Sequence, residues 1–267
     1  MTRLLTRVIP VLACLAGLST SAFAQSTQPA TVTVQSTRDP VDKSYRKMIR
    51  GMERFERERA MAPNAPLRFQ LLPRLPTVDM RGITLRVAGN TVSVPVAVAE
   101  DNSFVLPRND VALREDAAVL ANRKTTSMTW RAQIVTPGLP LGTRRLGDMR
   151  LECRVGVEAG LVSNSSPLFA WINNALTSPE QVCGSPNGNY LYFADRPLFA
   201  VRLHDAKTGR VETLPFNMLY AGGEQSKTDL QYCDCQVMLD RTFYAPIWDA
   251  SWPDDTLVEF EYMEDGK

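Results

Sequence analysis

The sequence predicts a mostly β protein: an antiparallel, sandwich-type fold of one large or two small lobes, with an N-terminal amphipathic α-helix. Three observations carry this. From residue 66 onward, short runs rich in β-branched and aromatic residues alternate with Gly, Pro, Asn and Asp, as strands joined by turns do. Ahead of them Tyr45, Met48, Ile49, Met52 and Phe55 recur at spacings that place them on one face of a helix. Once the first 24 residues are set aside, four of the five cysteines remain, an even number suited to disulfides in an oxidising compartment.

Residues 1–24 read as a signal peptide. Arg3 and Arg7 form the positive start, Val8 to Leu18 the apolar run, and Ala22-Phe23-Ala24 the small-residue cleavage pattern. The expected new terminus is Gln25, and the expected location periplasmic or secreted. A minor alternative is a lipid anchor on Cys14, because Val11-Leu12-Ala13-Cys14 resembles a lipobox. The mature chain then holds 28 basic and 29 acidic residues. That near balance gives no reason to expect a nucleic-acid partner. No later apolar run is long enough for a transmembrane span after signal removal.

Residues 25–38, rich in Ser, Thr and Gln, read as a flexible leader. Residues 39–62 read as the amphipathic helix, with Asp39 as N-cap and Pro40 in the first turn. Its polar face carries Arg46, Lys47, Arg50, Arg54, Arg57 and Arg59, with Glu53, Glu56 and Glu58 among them. Such interspersed acids favour packing on its own domain over contact with a membrane surface.

Residues 66–140 form the first predicted β-rich lobe. LRFQLLPR, ITLRVAG, NTVSVPVAVA and NSFVLPR read as strands, and Gly89-Asn90 as a hairpin turn. EDAAVLAN, residues 115–122, reads as a short helix. In SMTWRAQIVTP, Met128, Trp130, Ala132 and Ile134 alternate with Thr129, Arg131 and Gln133, so the polar trio is expected on the opposite face. The hairpin ending in DNSFVLP resembles transthyretin-like or carboxypeptidase-regulatory-like sandwiches over a short stretch that carries no functional residue.

Residues 141–267 form a second predicted β-rich lobe holding the disulfides. Residues 149–161 alternate strictly between apolar and polar or glycine, which predicts a half-buried strand with Cys153 inward. Residues 168–178 read as a short helix. The stretches NYLYFAD, PLFAVRLHD, RVETLPFNML, CDCQVMLD and TLVEFEYM read as strands, with Asp205 to Gly209 turning a hairpin.

Several chemistries are disfavoured. One histidine, His204, and no Gly-x-Ser-x-Gly elbow leave little basis for a hydrolytic triad. No phosphate-cradling glycine loop occurs, and neither a catalytic residue, a metal nor a cofactor is assigned. The C-terminal segment FYAPIWDASWPDD supplies the candidate ligand-binding residues Trp248, Trp252, Asp249, Asp254 and Asp255. Its readings are a closed core end, a sugar-stacking platform, or an acid pair.

Cys153, Cys183, Cys233 and Cys235 are expected to form two disulfides. Pairing Cys233 with Cys235 is disfavoured because residues i and i+2 of a strand sit at the limit of bridging distance. The expectation is therefore that Cys153 and Cys183 each reach the CDC pair. Together these features predict an exported cell-envelope binding or structural accessory protein without catalytic activity, its partner an unknown envelope protein or glycan. The alternative is an envelope carbohydrate-binding or carbohydrate-active protein using the C-terminal aromatic and acidic segment.

Overall fold

A computed structural model describes residues 40–74, 77–124, 127–161, 178–186, 190–220 and 236–264. The residues from Thr37 to Lys267 gather into one compact unit. It is mostly β, its strands pairing antiparallel throughout the described residues.

Strand β1 (Pro40–Ser44) leads directly into α1 (Tyr45–Arg57). The helix therefore starts later than the sequence suggests. Asp39 lies outside the described residues, and the cap is Ser44, whose side chain accepts from Lys47 N at 3.3 Å. Pro40, expected in the first helical turn, sits instead in a strand opposite Lys124. The ladder pairs Asp42, Lys43 and Ser44 with Leu120, Val119 and Ala118, partners that an extra helical turn would not give. Helix α1 buries Tyr45, Met48, Ile49 and Phe55, and no described helix is long and apolar enough to cross a membrane.

Next come β2 (Leu67–Pro73), β3 (Leu85–Ala88), β4 (Ser93–Val96), β5 (Ser103–Phe104), α2 (Asp110–Arg114), β6 (Ala118–Lys124) and β7 (Met128–Ile134). Two sheets result, in the orders β1-β6-β3-β4 and β5-β2-β7. The expected helix over 115–122 is not there. Asn109 caps α2 through Ala112 N at 2.9 Å, and Asp116 at φ 51° ends the helical run. Ala118 and Val119 then pair on both sides, with β1 and β3. Cross-strand pairing overrides the local helix preference.

The remaining elements are β8 (Thr143–Arg145), α3 (Leu146–Glu158), α4 (Pro179–Cys183), β9 (Tyr192–Phe193), β10 (Leu198–Asp205), β11 (Arg210–Thr213), β12 (Thr242–Phe243) and β13 (Leu257–Tyr262). One sheet runs β11-β10-β13-β8, and β9 pairs with β12. The predicted turn at Asp205–Gly209 joins β10 to β11, with Asp205 accepting from Lys207 N and the Thr208 hydroxyl. The helix expected over 168–178 falls outside the described residues up to 177. Of CDCQVMLD, Cys233 and Cys235 fall outside them, while Gln236–Arg241 form a 3-10 helix rather than a strand.

Residues 149–161 are the largest correction: most of that alternating stretch is helix α3. The apolar and polar positions alternate because this helix is covered nearly all round, so no single 3.6-residue stripe is needed. Leu146, Met149 and Cys153 join the C-terminal core cluster, Leu151 and Val155 a middle cluster with Phe55 and Ile134. Ala159 and Leu161, just beyond the helix, join the N-terminal cluster of Tyr45, Phe69 and Trp130. Its polar residues survive burial because each is partnered: Asp148 by Thr136, Arg150 by Asp254, Glu152 by Arg144, and Arg154 by Glu58.

Cys153 and Cys183 form a disulfide with Cα atoms 6.0 Å apart. This overturns both expected pairings to the CDC motif. The expectation rested on Cys153 lying in a strand; on a helix it faces α4, whose last residue is Cys183.

Candidate functional site

Among the described residues, two places have the shape and chemistry of a site. The first contains the sequence-predicted residues, on the loop between β12 and β13. Trp252 is 2% exposed and belongs to the C-terminal core, with the Arg210 guanidinium carbon 3.6 Å from its ring centroid. Trp248 is 41% exposed. Trp248, Trp252 and Asp254 line one cavity of about 400 Å³ together with Arg150, Arg154 and Met61. Asp249 and Asp255 do not line it.

Each of the three carboxylates has its own partner. Asp249 accepts from Ser251 N at 2.8 Å, and that bond holds its carboxyl below the usual range. Asp255 meets Lys207 Nζ at 2.5 Å, with the same effect on its titration. Asp254 meets Arg150 at 2.6 Å, and Arg150 also donates to the carbonyls of Ile247, Asp249 and Trp252. Arg150 thus fixes the loop's path. His204 lies apart, its Nδ1 3.0 Å from Glu259.

The second place was not singled out from the sequence. Strand β7 pairs with β2 along its whole length, and Trp130 enters the N-terminal core, edge-on to Phe104 at 5.6 Å. The opposite face, predicted to be polar, is indeed Thr129, Arg131 and Gln133, yet it is covered. Thr129 is 3% exposed and Arg131 6%. The Arg131 guanidinium carbon sits 4.8 Å from the Phe193 ring centroid and 5.3 Å from that of Tyr190. Among the described residues no carboxylate lies within ion-pair distance of Arg131, and its buried Nε has no hydrogen-bond partner.

A cavity of about 400 Å³ opens beside it. Arg131, Arg144 and Glu152 lie at its buried end, with Leu191, Phe193 and Phe260 on its walls and Asp101 and Asp195 exposed at its rim. Arg144 donates to Glu152 at 2.7 Å and to Ile134 O at 2.9 Å, so these two opposite charges compensate each other. Arg144 Nε and Gln70 Oε1 are also buried without a hydrogen-bond partner. Burial pushes the Tyr190 hydroxyl up to about 12, against the pull of the Arg131 charge. Tyr190 therefore stays neutral at physiological pH and does not compensate the arginine.

No family model, curated protein or solved structure matches the chain.

The sequence held one signal for this site. The aromatic run Tyr190-Leu191-Tyr192-Phe193 is what covers Arg131, but nothing in the linear order joins it to β7. An arginine on the polar face of an alternating strand reads as solvated unless a second layer is known to lie on it.

Proposed function

We propose that the chain is an exported, non-catalytic binding protein of the cell envelope, periplasmic or secreted, which holds a small ligand in the cavity beside Arg131. The single observation that carries this is a buried guanidinium that, among the described residues, has no carboxylate within ion-pair distance. Burying an uncompensated charge costs several kcal/mol, and unsatisfied buried polar groups call for a specific cause. A cavity of about 400 Å³, lined about equally by polar and apolar groups, falls in the size range of small-molecule sites. The antiparallel sheets with covered faces support a sandwich arrangement as its frame.

Thermal unfolding of the purified protein across a chemically mixed small-molecule library tests this. At least one compound should raise the melting temperature in wild type and fail to do so in Arg131→Gln. A library in which nothing stabilises the protein through Arg131 removes the proposal. For the export part, the N-terminus of the protein recovered from the envelope fraction should begin at Gln25; an acylated Cys14 would replace that with a lipid anchor.

A second reading, glycan binding, is favoured by Trp248, an exposed aromatic ring on the rim of a cavity. Aromatic faces suit sugar rings. Soluble glycans should then bind wild type and not Trp248→Ala, with the fold of the variant intact.

A further inference from the structure

From the geometry around Arg131 we infer that the ligand is an organic monocarboxylate with an apolar body, its carboxylate seated on the Arg131 guanidinium. This rests on the binding reading above and names the class of molecule. The charges decide it. At the buried end of the cavity Arg144 and Glu152 cancel as a pair 2.7 Å apart. What remains at that end, among the described residues, is the positive charge of Arg131. Arg241 also lines the cavity but is half-buried, meets Asp240 at 3.9 Å and donates to Asp195 O at 2.8 Å. The acids that also line the cavity, Asp101 and Asp195, lie at its exposed rim, and Asp101 is bound to the Ser103 backbone and hydroxyl.

A single buried cation is matched by a single negative charge. A phosphate monoester would bring nearly two, leaving excess negative charge in a region of low dielectric where it is costly. A neutral ligand would leave Arg131 uncompensated. Guanidinium planes take carboxylates through parallel N–H···O bonds, and these are stronger than neutral hydrogen bonds. Tyr190 and Phe193 hold the Arg131 head from the protein side, which fixes its plane before a ligand arrives. Leu191, Phe193 and Phe260 then face the rest of the molecule.

Trp248 and Trp252 do not line this cavity. The acids at the rim have a role in selection: a second carboxylate projecting outward would meet Asp101 or Asp195. Dicarboxylates should therefore bind less well than monocarboxylates of the same length.

Isothermal titration of the purified, disulfide-bonded protein tests the assignment with four probes: benzoate, hexanoate, benzamide and phenyl phosphate. Benzoate or hexanoate should bind, with benzamide and phenyl phosphate at least tenfold weaker. Arg131→Gln should weaken carboxylate binding tenfold or more. A separate readout covers the possibility that the variant simply misfolds. If Arg131 awaits a ligand, Arg131→Gln should leave the empty protein at least as stable as wild type to urea, because a buried uncompensated charge is gone. Arg131→Gln that is clearly less stable marks the arginine as structural and overturns the inference. Binding of phenyl phosphate or benzamide in preference to benzoate, lost in Arg131→Gln, overturns the carboxylate class and leaves the binding site standing. No binding of any probe overturns the carboxylate class, and with Arg131→Gln also destabilised it removes the binding site as well.

Discussion

Gly51 of α1 lies against Ala159, just past the end of α3, so closely that a Cβ added to Gly51 would sit 2.7 Å from the Ala159 Cβ and 3.1 Å from Val155 O. The two helices meet backbone to backbone here. A glycine inside a helix costs about 1 kcal/mol relative to alanine, so its presence reflects the space it leaves. Gly51→Ala should lower stability to urea by about 1–2 kcal/mol despite the better helix propensity, since overpacking outweighs it. Gly51→Ala combined with Ala159→Gly should recover part of that loss. If Gly51→Ala alone stabilises the protein, the contact is looser than the structure shows.

The Cys153–Cys183 bond closes a loop of 30 residues. On the loop-entropy relation its removal should cost about 3–4 kcal/mol. Cys153→Ala with Cys183→Ala should show that loss in denaturant, and peptide mapping without reductant should recover the two cysteine peptides joined. Recovery of Cys153 linked to Cys233 or Cys235 instead would return the pairing to what the sequence alone suggested.

Asp148 is fully buried, and burial pushes its carboxyl above the ordinary 3.8, the bonds from Thr136 opposing that only in part. The folded state thus holds the Asp148 proton more tightly than the unfolded state. Its contribution to stability is fully present below about pH 3.9, the unfolded value, and is lost as pH rises through the raised folded value. Asp148→Asn mimics the protonated acid. Its stability relative to wild type should therefore improve as pH rises across that window. Urea titrations at pH 3.5 and 6.5 measure the difference; an unchanged difference would show that Asp148 titrates alike in both states.

Arg150 satisfies three backbone carbonyls and Asp254 with one side chain that is 12% exposed. Arg150→Met should cost about 2–4 kcal/mol, because several acceptors lose their donor together. Asp254→Asn should cost less, since the three carbonyl bonds persist. The fluorescence of Trp248 and Trp252 should shift in Arg150→Met and stay close to wild type in Asp254→Asn.

How much of this was legible in the sequence depended on whether one face of an element meets water. Helix α1 was readable from Tyr45, Met48, Ile49 and Phe55 because its other face is solvated. The β10–β11 hairpin was readable for a similar reason, with β11 exposed throughout. Helix α3 was misread because cover on all sides removes the stripe that marks a helix. The same cause hid Arg131: the alternation of β7 was correct, and the layer over its polar face was not in the local sequence. Trp248 and Trp252 line one cavity, but which ring faces solvent follows from Arg210 and Arg150, 38 residues or more away in the chain.

Helix α3 and the two residues that follow it contribute to all three core clusters. An axle shared in this way makes the halves of the molecule inseparable in energy. A chain cut at 140 would leave Phe69 and Trp130 without Ala159 and Leu161, and Ile134 without Leu151 and Val155. Loss of order at either end should therefore propagate through the middle, so that heat or urea dissolves the whole of the described chain in one step. The cavity beside Arg131, which lies where strand and helix meet on that axle, is then as durable as the fold itself.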